Sequence, residues 1–250
     1  MVIVQNLFGL KRPDLFFDVM VHFGTLIAVL WVFRYDLITL IRRFFVFVTR
    51  FPSKNLFKDS FSHDPELRLI GLIVVATIPT ALIGYFFKNL FEALFSSVFA
   101  VGVSLMLTGT LLLLTRRTPI HHKTIKDMTT IDALVIGLSQ GIAITPGISR
   151  SGATISTALF LGIDRELAGR FSFLIFIPAI LGAIIPNVTF PALPPSTHLY
   201  NVFAGTLAAS ITGYFALRVL LRFVKKGKLY IFSSYVYGVG LFTILFDLLH

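Results

Sequence analysis

The chain has 250 residues, of which 56% are hydrophobic and only 14% charged, with a mean hydropathy of +0.86; a soluble domain carries roughly 25% charged residues, so a water-soluble globule is excluded. Lys and Arg number 22 against 12 Asp and Glu, a net charge of +10, which positive loops facing anionic lipid explain without any nucleic acid. With no cysteine there is no disulfide framework, thiol nucleophile or thiolate metal site.

Roughly 20 apolar residues span a bilayer, so the composition predicts one all-α, polytopic integral membrane domain over the whole chain. Met1 to Leu10 is a short apolar run with its basic pair, Lys11 and Arg12, behind it, the wrong order for a signal peptide. The first full span is Phe16 to Phe33, interrupted by Asp18, His22 and Gly24 and stopped at Arg34. Arg34, Arg42, Arg43, Arg50, Lys54 and Lys58 then alternate with Leu, Ile and Phe, which predicts a helix lying along the membrane surface. Asp64-Pro65-Glu66 has the N-cap, first-turn proline and early acid of a helix start, and opens a second span, Leu67 to Phe87, that Pro79 should kink. A turn carrying Lys88 and Glu92 leads to a third span, Ser96 to Leu114, followed by Arg116, Arg117, Lys123 and Lys126.

Two apolar pieces come next, Ile131 to Ile144 and Gly152 to Gly162, each too short to cross. They predict a broken, re-entrant helix pair. Asp164 caps a further span, Leu167 to Val188, after a turn bearing Arg165 and Arg170. A proline-rich loop from Thr189 to His198 has no Lys or Arg, and the last spans, Leu199 to Leu221 and Tyr230 to Leu249, are joined by Arg222, Lys225, Lys226 and Lys228. Loop charge supports the hairpin. If the Arg34 to Lys58 and Arg116 to Lys126 loops are cytoplasmic, a single crossing by residues 131–163 would put the Arg222 to Lys228 cluster outside, against the positive-inside rule. An even number of crossings restores it and places the carboxy terminus outside. The expected fold is thus about six full spans plus a re-entrant pair.

An internal repeat is visible: Phe17 to Gly24 and Phe171 to Pro178 both open with Phe and reach a helix-loosening residue seven positions on. Two related halves, forming an inverted repeat, would place a site where broken helices meet. The second half breaks at Pro146, 25 positions before Phe171. The matching break in the first half falls upstream of Met1, so a first re-entrant segment that is cut short is expected.

The sharpest chemical signal is Pro146-Gly147-Ile148-Ser149-Arg150-Ser151-Gly152-Ala153-Thr154. Proline and glycine break the helix, and the half-helix that begins near Ser151 turns its free N–H groups and positive dipole end into the gap, where an anion would bind. Arg150 adds a planar cation that can hold two phosphate oxygens; Ser149, Ser151 and Thr154 add hydroxyls. The alternative account has the serines capping the half-helix and Arg150 reaching lipid headgroups. An arginine at bilayer depth costs roughly 2.5–3.5 kcal/mol or more, which a bound anion would offset.

This run resembles the proline-glycine-x-serine-arginine-serine-glycine-x-threonine motif of the undecaprenyl-diphosphate phosphatases of the bacitracin-resistance type. Phe17 to Leu26 is similar to that family's segment after its first re-entrant loop, and the resemblance extends along essentially the whole chain. It implies a multi-pass enzyme of the bacterial inner membrane that hydrolyses undecaprenyl diphosphate to the monophosphate, recycling the carrier for peptidoglycan synthesis and conferring bacitracin resistance. It also implies a divalent cation, Mg or Ca. Arg150 and Ser149 would be catalytic, and Gly147, Ser149, Arg150, Ser151 and Thr154 would bind phosphate. Nothing in Met1 to Leu10 matches the family's amino-terminal motif of paired glutamates, serine-rich turn and histidine. Repeat and motif together lead us to expect a chain better equipped to bind than to cleave. A flippase or non-catalytic binder for phosphorylated polyprenyl lipid is the alternative function, and self-association is left open.

Asp18 is the candidate metal ligand, although a helix-start aspartate at the interface accounts for it equally. His22 is read as a packed or hydrogen-bonded histidine. His63, His121 and His122 lack carboxylates at ligand spacing, and Asp164-Arg165-Glu166 is read as a helix cap.

Overall fold

The computed structural model describes residues 15–49, 64–118, 123–184 and 199–249, and among them the chain is helical throughout, with no strand. Helix α1, Leu15–Val32, meets α2, Arg34–Thr49, at a 77° bend. Arg34 sits on the bend: its guanidinium donates to the Trp31 carbonyl at 2.9 Å and lies over the Trp31 and Tyr35 rings. Tyr35, Ile38, Ile41, Phe44 and Phe45 of α2 are exposed, as are Arg42 and Arg43 between them. The rest of the expected basic stretch, residues 50–63, lies outside the described residues.

Helix α3, Pro65–Phe86, starts as the sequence predicts, the Asp64 carboxylate accepting from the Glu66 and Leu67 amides at 2.9 and 3.3 Å. Residues 88–95 were expected as a turn; Lys88–Phe95 is a short helix, α4, with Lys88 and Glu92 one helical turn apart. Helix α5, Val98–Leu114, is capped by Ser97, whose hydroxyl accepts from the Ala100 amide.

The broken pair is present as α6, Thr130–Ile142, and α7, Arg150–Phe160. At 1.5 Å per residue they are about 20 and 17 Å long. Their outer ends are tied together: the Lys123 amide donates to the Gly162 carbonyl at 3.0 Å, and the Asp164 amide to the Lys123 carbonyl at 3.1 Å. Between the helices, the Thr157 hydroxyl donates to Ser139. The two ends of the segment are therefore bonded to each other, and α6 and α7 form a helical hairpin. Its starting end is fixed by a capping box between Thr129 and Asp132, and Lys123 pairs with Asp132 at 3.1 Å.

Helix α8, Arg165–Ile184, begins at an Asp164 cap with bonds of 2.9 and 3.2 Å. Arg170 was expected in the preceding turn but lies in the second helical turn, because its partners are elsewhere in the fold: Glu66 of α3 at 3.0 Å and Asp36 of α2 at 2.6 Å. Glu166, read as part of the cap, also reaches Lys225 at 2.8 Å. Phe171, Leu174 and Ile175 are almost wholly buried, so α8 is the central post of the bundle.

Helices α9, Leu199–Lys225, and α10, Phe232–Leu249, complete the fold, α9 packing on α1 and α10 on α5. Small residues set these approaches. A Cβ on Gly24 would overlap the Thr206 carbonyl oxygen, and the Ser210 hydroxyl donates to the Gly24 carbonyl at 2.9 Å. On the other face of the hairpin a Cβ on Gly137 would overlap the Ala76 carbonyl oxygen, so α6 lies directly on α3 beside Pro79.

Pro65–Phe86, Val98–Arg117, Val202–Lys225 and Leu229–Leu249 are long and apolar enough to cross a membrane, and the bent α1–α2 pair is a fifth if taken as one span. Among the described residues the six expected spans are thus four or five. The fourth expected span, α8, carries Arg165, Glu166 and Arg170 within its described length.

Candidate anion-binding loop

The hairpin turns where the sequence stops favouring helix. Helix α6 unwinds through residues 143–145 in single turns, Pro146 withholds an N–H, and Gly147 takes φ +90°. Only glycine fits there, since a Cβ would overlap the Val101 carbonyl oxygen and stand 2.8 Å from the Ser104 Cβ. Ser149 is extended and caps α7, its hydroxyl accepting from the Gly152 amide at 3.2 Å. The Ser149 amide is itself taken, donating to the Thr108 hydroxyl of α5 at 3.1 Å.

That leaves the Arg150 and Ser151 amides in the first turn of α7 with no acceptor among the described residues. They carry the positive end of an eleven-residue helix dipole. The Arg150 guanidinium lies over the Phe176 ring of α8, its carbon 3.1 Å from the ring centroid, and pairs with no carboxylate among the described residues. Stacking consumes one face of the cation and leaves its N–H edge for a ligand. The Thr154 hydroxyl turns inward, donating to the Arg150 carbonyl at 2.9 Å and meeting the Ser172 hydroxyl. Elsewhere in the hairpin two buried polar atoms have no protein partner, the Ser156 hydroxyl of α7 and the Gln140 carbonyl oxygen of α6, whose amide nitrogen donates to Thr80 and Ile175.

Gly147, Ser149, Arg150 and Ser151 thus lie together in the break between α6 and α7, and Ser149 and Thr154 are bonded within the protein. Ser149 caps the half-helix, as one of the two sequence accounts has it, and the Arg150 and Ser151 amides beyond it have no acceptor among the described residues. Arg150 rests on Phe176 instead of extending away from the protein. Asp18 falls in the first turn of α1, and Met1 to Leu10 lies outside the described residues. Among the described residues, no group of three or more His, Cys, Asp or Glu is placed to hold a metal ion. Thr108, Ser172 and Phe176 went unread because they lie on other helices; the Gly102, Ser104, Thr108 stripe on α5 was the available signal.

A second polar concavity, lined by Tyr35, Asp36, Glu66, Asp164 and Arg170, lies where α2, α3 and α8 begin. Arg170 pairs there with both Asp36 and Glu66, and Asp164 caps α8, so the concavity holds more carboxylates than cations, unlike the loop at Arg150.

The family model for the bacitracin resistance protein BacA matches residues 1–242. An undecaprenyl-diphosphatase of Alkaliphilus metalliredigens (strain QYMF) is 43% identical over 254 residues, covering 100% of this chain and 90% of that protein. Undecaprenyl-diphosphatases of Desulforapulum autotrophicum and Methanobrevibacter smithii are 43% and 36% identical, over 98% and 100% of this chain and 89% and 90% of theirs.

Proposed function

The chain belongs to the bacitracin resistance protein BacA family, and from that premise we propose that it hydrolyses undecaprenyl diphosphate to undecaprenyl phosphate and phosphate in the bacterial inner membrane. The product is the lipid carrier of cell-wall synthesis, and its recycling confers resistance to bacitracin. The observation that carries this reading is the pair of open amides, Arg150 and Ser151, beside a stacked guanidinium with no carboxylate partner.

Arg150 can hold two oxygens of the diphosphate through its planar edge, and the two amides can hold a third. As the bond to the leaving phosphate lengthens, negative charge grows on those oxygens, and donors fixed in place beforehand stabilise it without reorganising. Ser149 contributes by ending the half-helix where it does, and its hydroxyl hydrogen remains free to donate. Thr154 holds the first turn of α7 to α8 through Ser172. The divalent cation that the resemblance implies has no ligand set among the described residues, so no step is assigned to it. The apolar tail would lie along exposed side chains such as Phe99, Leu107 and Leu138.

The topology we propose has six full spans, with α1 and α8 crossing, and the α6–α7 hairpin entering and leaving by the cytoplasmic side. The tie between Lys123 and Ile163 supports it. Two halves related by an inverted repeat would place α1 and α8 in corresponding positions.

A second reading, retention or transfer of a phosphorylated polyprenyl lipid without cleavage, is favoured by one observation: the loop holds anion-binding groups and no carboxylate. Phosphate release from undecaprenyl diphosphate by the protein purified in detergent separates the two, and also tests the expectation, drawn from the opening residues, that the chain is inactive. Release should occur and should fall at least about tenfold in Arg150→Lys, which keeps the charge but loses the planar edge. Unchanged release by that variant would remove Arg150 from the chemistry.

A further inference from the structure

Thr108 stands on α5, a helix that the phosphate motif does not include, and is 1% exposed. Its hydroxyl oxygen accepts from the Ser149 amide at 3.1 Å, and its hydrogen is within reach of the Gly147 carbonyl at 3.2 Å and the Ser104 carbonyl at 3.0 Å. One side chain therefore touches the loop on both sides of Ile148. On the same face of α5, the Val101 carbonyl and Ser104 Cβ press against Gly147 so closely that the loop has no room for a side chain there.

The consequence is a sorting of amides. A helix start offers several unpaired N–H groups, and any of them can turn toward an anion. Here Thr108 takes the Ser149 amide and Ser149 takes the Gly152 amide. The two between them, Arg150 and Ser151, remain open and point together. Without the Thr108 hydroxyl, a part-buried N–H and a carbonyl lose their partner, and the loop can rotate to satisfy them. That rotation would carry the Arg150 backbone with it.

We propose that Thr108 is a positioning residue for the reaction: it sets the orientation of the Gly147–Ser149 turn, and through it directs the Arg150 and Ser151 donors at the diphosphate. The inference rests on the reading of the loop as the diphosphate site.

The test compares Thr108→Ser with Thr108→Ala, which differ by the hydroxyl alone, in the full chain purified in detergent. The readout is affinity for farnesyl diphosphate together with phosphate release, in Arg150 and Arg150→Lys backgrounds. Thr110→Val is the control: Thr110 is on the same helix but bonds Tyr237 of α10. Ser should bind within about threefold of wild type and Ala about tenfold more weakly, as for the loss of a buried hydrogen bond. The difference between Ser and Ala should shrink once Arg150 is Lys, since that substitution removes the guanidinium edge Thr108 helps to aim while leaving the Arg150 and Ser151 amides in place. Thr110→Val should match wild type.

Equal affinities for Ser and Ala, with Arg150→Lys strongly impaired, would overturn the role of Thr108 and leave the site where it is. Equal loss in both, or a difference that persists unchanged in Arg150→Lys, would assign Thr108 to packing alone. Wild-type affinity in Arg150→Lys would overturn the diphosphate reading itself. Should Thr108→Ala not fold, Thr108→Val takes its place, matching the methyl and the volume while removing the hydroxyl.

Discussion

Arg150 carries its charge without a carboxylate partner, and what holds it is Phe176. A guanidinium on a phenyl face is attracted by about 0.5–2 kcal/mol, more when desolvated, and the contact also fixes the plane of the fork. Phe176→Leu keeps the apolar volume and removes the ring face. Phosphate release from undecaprenyl diphosphate should drop by about three- to tenfold, with thermal stability nearly unchanged; wild-type release would show that Arg150 orients itself without the ring. The Arg150 motif was legible because its residues are contiguous, so one glance at Pro146 to Thr154 gives a helix break, a cation and a helix start. Phe176 was not legible, since α8 alone is a run of apolar residues in which one phenylalanine looks like another. Thr154 shows a different limit. Its hydroxyl can serve a ligand or its own helix with equal ease, and only the position of Ser172 shows that it is bonded inward.

At the scale of elements, the hairpin is held at its mouth and along its length. Lys123 bonds across to Gly162 and Asp164 and pairs with Asp132, while α6 lies against α3 with no side chain between Gly137 and the Ala76 carbonyl. Thr80 completes that contact by donating to the Gly137 carbonyl at 2.9 Å. Gly137→Ala must push the two helices apart, and overpacking of this kind costs about 1–3 kcal/mol. The melting temperature in detergent should fall by several degrees, and an unchanged value would mean that α3 and α6 are not packed as described. Helix starts were read correctly at Asp64 and Asp164, because a cap is a local arrangement of a few residues. Arg170 was misplaced because its partners, Asp36 and Glu66, are more than a hundred positions away in sequence, and no local pattern announces an ion pair joining three helices.

For the molecule as a whole, the proposed orientation rests on loop charge and the proposed parity of crossings on the α6–α7 hairpin. The Arg116 to Lys126 and Arg222 to Lys228 loops are both basic, whereas residues 189–198 contain no Lys or Arg. Reporters fused after Lys126 and after Lys228 should both be cytoplasmic, and one inserted near Pro194 should be outside; Lys228 outside would turn the α6–α7 segment into a crossing. The number of spans was less legible than their existence, because α8 is apolar enough to resemble a lipid-facing helix yet is buried at the centre with three charged residues at its start. The most direct test of where the substrate lies is a structure of the protein with farnesyl diphosphate bound. The diphosphate oxygens should lie within hydrogen-bond distance, about 2.7–3.2 Å, of the Arg150 guanidinium and of the Arg150 and Ser151 amides. A diphosphate seated elsewhere, such as against Arg170 between α2, α3 and α8, with the Gly147–Ser151 turn vacant, would contradict the account.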